Sequence, residues 1–296
     1  MNELQEVDVN ELLEKNPEHK ELVDTNHVYL VEHEGKELVI KYYSGKFSKD
    51  RYQREKRALQ ELKDYEIPVP DILGYDDSRK ILLEEKIEGI PLQEVIETPE
   101  ELNNYIKRVY QLEREVKRPR SSWKDGKNFQ DFLKEVYSTD VINNLGAKID
   151  KKTTKKLKKS VKSLEKILPS TYNLINGDLK GEEIYIDENG KINGIIDWEN
   201  KMVGDITFDV SSMVNFFSQM DGWNYTDIME SLELSEEEKI RTNRYLGWWY
   251  GLWASYYHRS EEEMNQLLVS AFKLMESEKP IEDSYKLHSY SRQLKG

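Results

Sequence analysis

Cysteine is absent from all 296 residues. That excludes disulfides, thiolate metal sites and a cysteine nucleophile. Long apolar runs are missing too: no stretch approaches the roughly 18 residues that a membrane-spanning helix requires. The opening residues, Met1-Asn2-Glu3-Leu4-Gln5-Glu6, have neither the basic head nor the apolar stretch of a secretory signal. A cytoplasmic protein with no membrane partner is expected. Positive charge is in deficit, 44 Lys and Arg against 57 Asp and Glu, for a net charge of -13. Such a surface repels nucleic acid overall and attracts cationic ligands. His27, His33, His258 and His288 show no metal-ligand spacing.

What the chain does have is length and periodic apolar segments. At 296 residues it exceeds what one hydrophobic core usually serves, so two lobes are expected. Apolar residues make up 37% and charged residues 34%, which suits a folded, highly charged protein. One run departs from the acidic background: Lys148, Lys151, Lys152, Lys155, Lys156, Lys158, Lys159, Lys162 and Lys166. It reads as a solvated helix face with Leu157, Val161, Leu164 and Ile167 turned inward; a docking patch for RNA or another polyanion is the alternative.

Residues 28–31 and 37–42 predict strands joined by a turn at Glu34-Gly35-Lys36. A helix is expected from Ser48, with Tyr52, Glu55, Leu59 and Leu62 on one face. Ile67-Pro68-Val69-Pro70 must be extended, because each proline disfavours helical backbone before it. Strands around 72–75 and 81–84 complete a small α+β lobe. Beyond it, Thr98-Pro99-Glu100-Glu101 is a capping box, and Leu102, Ile106, Val109, Leu112 and Val116 continue as a core stripe. Further helices are expected over 129–137, 151–168, 207–218, 235–258 and 261–277. Among them, residues 184–187 and 192–196 flank Glu188-Asn189-Gly190-Lys191, and Asn-Gly is a strong hairpin signal.

The hairpin locates the chemistry. Asp178 precedes it in Asn176-Gly177-Asp178-Leu179-Lys180, and Asp197 stands at its exit in Ile195-Ile196-Asp197-Trp198-Glu199. Two carboxylates at one edge of a β ribbon suit phosphoryl transfer: one takes the acceptor's proton, the other holds Mg²⁺ against the phosphates. Lys41, in the apolar strand Val39-Ile40-Lys41, is costly to bury unless paired, and Glu55 on the next helix is a candidate partner. Strand lysine, helix glutamate, loop aspartate, hairpin, aspartate is the ordered set of a kinase.

These stretches, with Leu82-Leu83-Glu84-Glu85-Lys86-Ile87-Glu88-Gly89 and Gly204-Asp205-Ile206-Thr207-Phe208-Asp209, resemble the aminoglycoside phosphotransferase and choline kinase group over roughly residues 20–260. The resemblance implies an α+β, two-lobed protein-kinase-like fold: a small N-lobe (1–87) with an antiparallel sheet and one helix, and a larger, mainly helical C-lobe (88–296). It implies ATP and Mg²⁺ as cofactors, Asp178 as catalytic base, Asp197 as principal metal ligand and Asp209 as the brace of the catalytic loop. Backbone groups of Glu85, Lys86 and Ile87 would meet the adenine. A small-molecule acceptor is implied, cationic ones included, and nothing in the sequence names it.

Three positions depart from the family pattern. Asn176 replaces the usual histidine. Glu183 stands where a metal-binding asparagine is usual and would add a negative charge beside the phosphates. The phosphate loop Val23–Val28 lacks glycine, leaving Thr25 and Asn26 as its hydrogen-bond donors. Lys180 resembles instead the lysine of Ser/Thr protein kinases that touches the γ-phosphate. A small-molecule kinase is therefore the leading expectation; a pseudokinase and a protein kinase are the alternatives. Trp248, Trp249, Tyr250, Trp253, Tyr256 and Tyr257 admit two readings, plain core or a cage for quaternary ammonium. The glutamates at 236–238 and 261–263 likewise read as solvated helix charges or as acceptor-pocket groups.

Overall fold

The structure, a computed structural model, describes residues 20–21, 27–45, 48–116, 128–256 and 260–279. The chain forms two compact units: Met1–Val95 with Glu182–Lys201, and Ile96–Gly181 with Met202–Gly296. No helix among the described residues is long and apolar enough to cross a membrane.

The first unit is built on an antiparallel sheet. Its strands, in spatial order, are Lys20–Glu21, His27–His33, Lys36–Tyr42, Ile81–Glu85 and Ile72–Asp76. Strand alternation sorts the side chains by face. Val31, Leu38, Ile40, Ile81 and Leu83 form one apolar cluster, while Tyr43, Tyr52 and Leu82 form another that includes the helix Ser48–Leu62. That helix buries Tyr52, Glu55, Leu59 and Leu62, the expected face, and adds Lys56 and Ala58.

The expected hairpin is present as Ile184–Ile186 and Ile192–Ile195, and the short strand Ile90–Pro91 pairs with its first arm. Asp187 closes the turn by accepting hydrogen bonds from the Asn189 and Lys191 amides at 2.9 and 2.8 Å. Gly89 makes the approach of Ile90 possible. Its φ is +126°, and a Cβ there would lie 2.6 Å from the Ile186 carbonyl oxygen, so no larger residue fits unstrained.

The second unit is mainly helical: Pro99–Glu115, Phe129–Glu135, Lys151–Ser163, Ile206–Phe217, Tyr225–Ser231, Glu236–Tyr256 and Glu261–Met275. A two-stranded ribbon pairs Asn173–Ile175 with Met202–Gly204. The capping box at Thr98 is complete, with Glu101 answering its backbone. The segment expected to end near 137 continues instead through a π-helical turn over Val136–Val141. Along Pro99–Glu115 the buried stripe runs through Glu113 where Leu112 was expected; Leu112 is half-buried.

The late aromatic residues are chiefly core. Trp248, Trp249 and Tyr250 are buried, and Phe208 packs against both tryptophans at centroid distances of 5.3 and 5.1 Å. Trp253 is half-buried, Tyr256 is exposed, and Tyr257 lies outside the described residues. The lysines of Lys151–Ser163 are exposed, while Leu157 and Val161 are buried. Ser235 and Ser260 each accept a hydrogen bond from a glutamate amide three residues on, so these acidic clusters sit in first helical turns, where the helix dipole favours them.

Candidate functional site

The site residues of the first unit gather around Lys41. Its strand pairs Lys41 with Leu82, which sets Glu84 diagonally across on the same face. Lys41 is 8% exposed, and its Nζ donates to Glu55 Oε1 at 2.5 Å and lies 3.2 Å from Glu84 Oε2. Tyr43 donates its hydroxyl to the other oxygen of Glu55 at 2.5 Å. Burial disfavours the Lys41 ammonium, but the charges of Glu55, Glu84 and Asp197 outweigh it and hold the pKa well above the ordinary value. Burial pushes Glu84 up to about 7, against the pull of Lys41. One oxygen of Glu84 is buried without a hydrogen-bond partner among the described residues.

The segment after the hairpin is held by the helix Ser48–Leu62. Arg51 Nε donates to both carboxylate oxygens of Glu199, at 3.0 and 2.9 Å, and Arg54 Nε donates to the Glu199 carbonyl at 2.9 Å. Lys201, fully buried, donates to Glu61 at 2.6 Å. Asp197 has φ +59°, a left-handed conformation that aspartate tolerates better than most residues and that concentrates at functional sites. Carboxylate oxygens of Glu55, Asp197 and Glu199 lie within 4.8 Å of one another. Burial, then the charges of Asp197 and Glu55, raise Glu199 to about 7. Glu183 is buried but is not a member of that cluster; its carbonyl accepts from the Ile196 amide at 2.9 Å.

The residues expected to meet adenine close this unit's sheet. The Glu85 amide donates to the Asp71 carbonyl at 2.9 Å, Lys86 donates to Glu37 at 2.5 Å, and Ile87 packs over Gly194, where a Cβ would clash. Thr25 and Asn26 lie outside the described residues.

In the second unit the loop Asn176–Lys180 leaves the ribbon strand Asn173–Ile175. Asp209, 1% exposed, accepts the Asn176 amide on Oδ2 at 2.7 Å and the Gly177 amide on Oδ1 at 2.8 Å. Gly177 takes φ +93°. The half-buried Asp178 follows, its amide donating to the Asn176 side chain at 3.1 Å. Lys180 Nζ donates to Asp178 Oδ2 at 3.0 Å, and Ser212 Oγ lies 3.4 Å from Oδ1.

Glu84, Glu199, Arg51, Tyr43 and Ser212 were not singled out from the sequence. Three carried a readable signal. Glu84 shares the Lys41 face once the strand register is known, Ser212 follows Asp209 by three residues on one helix, and Arg51 precedes Glu55 by four.

Chemically, the first unit offers a buried cation held by carboxylates next to clustered hard oxygen donors. The second offers a carboxylate in a braced loop. The profile of the Phosphotransferase enzyme family matches residues 24–230. Comparison with curated proteins gave no significant match. Among solved structures, an aminoglycoside phosphotransferase in ternary complex with streptomycin and ATP is 13% identical, with 92% of this chain and 99% of that chain covered and a TM-score of 0.64. The choline kinase of Streptococcus pneumoniae is 18% identical, with 89% and 98% covered and a TM-score of 0.60. A microcompartment-associated aminopropanol kinase is 15% identical, with 87% and 90% covered and a TM-score of 0.58. At these identities the likeness is one of fold, the protein-kinase-like fold.

Proposed function

Because the chain belongs to the Phosphotransferase enzyme family, we propose that it moves the γ-phosphoryl group of ATP to a hydroxyl of a small, amine-bearing molecule. The observation that carries this reading is Lys41, buried between Glu55 and Glu84 in the same unit as Asp197. A structural scaffold has no use for so expensive a cation; a phosphate-binding site does.

The roles follow from the chemistry of each group. Lys41, oriented by Glu55, binds the phosphates. Asp178 orients the acceptor hydroxyl and takes its proton, an effect worth roughly 10²–10⁴-fold for a general base. Lys180 exchanges Asp178 for phosphate as negative charge moves. Asp197 and Glu199 supply hard oxygen donors of the kind Mg²⁺ prefers, and their crowding with Glu55 is what a divalent cation would relieve. Glu183 is a further candidate ligand, and Glu85, Lys86 and Ile87 would line the adenine site. Mg²⁺, when bound, neutralises charge on the β- and γ-phosphates. The functional division we propose places nucleotide binding in residues 1–87 and acceptor binding in 88–296. Streptomycin, bound in one structural neighbour, and choline, for which another is named, are cations, and the net charge of -13 suits that class.

The test is ADP release by purified protein with Mg²⁺ and ATP over aminoglycosides, choline, ethanolamine, sugars and amino alcohols, with Asp178→Asn as control. Release that depends on an acceptor and is lost in the variant supports the reading. A second reading, a nucleotide-binding pseudokinase, is favoured by Glu183 in place of the metal-binding asparagine. Asp197→Ala distinguishes the two. If it binds and turns over ATP as wild type does, the catalytic assignment fails. A protein kinase is the weakest alternative, because the helix Ile206–Phe217 begins only nine residues after Asp197 and leaves no extended activation segment.

A further inference from the structure

The helix Pro99–Glu115 places an acid where the mechanism so far uses none. Glu113 is 1% exposed and shares an interior space with Tyr110, Leu179 and Asp209. That space has no room for a water molecule, so water cannot solvate the group. As a carboxylate, Glu113 has no hydrogen-bond donor for either oxygen among the described residues. An ionised group there would carry a large desolvation penalty.

A proton removes the penalty, and the partners decide which acid keeps it. Asp209 receives two amide N–H groups, from Asn176 and Gly177, which favour its charged form. Glu113 feels only a smaller pull from the Asn176 amide, which Asp209 already holds at 2.7 Å. Each carboxylate oxygen has two acceptor positions, so Asp209 has capacity left for an O–H.

We propose that Glu113 is a positioning residue: held as a neutral carboxylic acid, it donates its O–H to Asp209, and thereby keeps Asp209 ionised and aimed at the amides that present Asp178.

The electrostatics agree. Burial, then the charge of Asp209 and the hydrogen bond between the two acids, hold Glu113 far above the ordinary glutamate value, against the smaller pulls of the Asn176 amide and Arg114. Asp209 is raised by burial to about 7, opposed by the Gly177 and Asn176 amides and by Glu113, and raised further by the charge of Asp178. Tyr110, beside them, is buried near Asp205 and Glu238 as well. Among the causes that act on Glu113 the one cation is Arg114, and its pull is the smallest. The folded chain therefore keeps a proton that the unfolded chain releases above pH 4.5, and stability falls as pH rises from there. At alkaline pH the proton leaves, two like charges share one dry space, and the loop loses its brace.

The activity arm of the test rests on the phosphotransferase reading; the spectroscopic and stability arms do not. Wild type, Glu113→Gln and Glu113→Leu are compared as full chains. At about pH 8 an infrared band of a protonated carboxyl is expected in wild type, shifted by ¹³C-glutamate labelling and reduced in both variants to the minor signal of Glu84 and Glu199. The melting temperature of wild type should fall with alkaline pH, and that of Glu113→Gln should not. Glu113→Leu should lower kcat about 10²-fold with KM for ATP unchanged, and Glu113→Gln, whose amide also donates, should recover most of that loss without the alkaline decline. A labelled band undiminished in Glu113→Gln, or equal alkaline melting slopes in that variant and wild type, overturns the proposal. If wild type turns over no acceptor, the function reading has failed, and the band and melting slopes still decide this one.

Discussion

Lys41 and Glu55 form an ion pair at 2.5 Å in which both side chains are almost wholly buried, 10% and 1% exposed. Glu84 completes a triad at 3.2 Å, so the single ammonium compensates two carboxylates. Removing one member of such a group is costlier than never having built it, because the remaining charges stay desolvated. Lys41→Met should lower stability by about 3–5 kcal/mol and abolish transfer, measured by urea unfolding and ADP release. A loss below about 1 kcal/mol would mean that protonation of Glu84 absorbs the vacancy.

Glu84 is pushed up from 4.5 to about 7 in the folded chain. Its raised value means that the fold holds its proton more tightly than the unfolded chain does. The contribution to stability is therefore full below pH 4.5 and is lost as pH rises towards 7. Glu84→Gln keeps the shape and removes the titration. Its melting temperature should vary less than that of wild type across this window; equal slopes would count against the assignment.

Trp248 lies in an aromatic cluster with Phe132, Tyr137 and Phe208, and its indole N–H donates to the Leu133 carbonyl at 3.1 Å. Trp248→Ala should cost about 3–5 kcal/mol, as for other large buried aromatics. Relative kcat/KM values across the acceptor panel should stay the same at a temperature where the variant is folded. A selective loss of quaternary ammonium acceptors would revive the cage reading.

Gly89→Ala should destabilise by at least about 1–3 kcal/mol, through the strain of a positive φ and the contact with Ile186. Limited proteolysis should then cut in or beside the hairpin before other described segments. Wild-type resistance there would show that the loop can reroute at little cost.

Much of the fold was legible because its signals are local. The Thr98 capping box, the turn residues at Asp187–Gly190 and the spacing of Tyr52, Glu55, Leu59 and Leu62 each act within a few residues. The order of Lys41, Glu55, Asp178 and Asp197 was legible for a different reason: Lys41 and Asp197 are charges beside apolar strand residues, Glu55 shares the helical spacing of Tyr52, Leu59 and Leu62, and Asp178 stands just before the hairpin. What escaped depends on register or on packing between distant segments. Glu84 counts only once its strand is aligned with that of Lys41, and Arg51 only once Glu199 is brought to the helix Ser48–Leu62. Glu113 escaped because Leu112 is the apolar choice for the stripe, yet the helix turns its neighbour inward. The π-helical turn at Val136–Val141 has no residue pattern of its own.

The membership of Glu182–Lys201 in the first unit has a consequence for synthesis. Among the described residues the strand Ile90–Pro91 pairs with Ile184–Ile186 alone, and Glu55 and Arg51 meet Asp197 and Glu199 only after the hairpin has left the ribosome. At about 5–20 residues per second, the roughly hundred residues between these segments impose a wait on the order of 5–20 s. During it the nascent N-terminal segment carries a strand without its ladder and an acidic-basic helix without its counterpart. A chaperone that shields that edge, or a slow-translated stretch after residue 201, would raise the yield of active protein, and a truncation at residue 95 would leave the unit permanently unfinished.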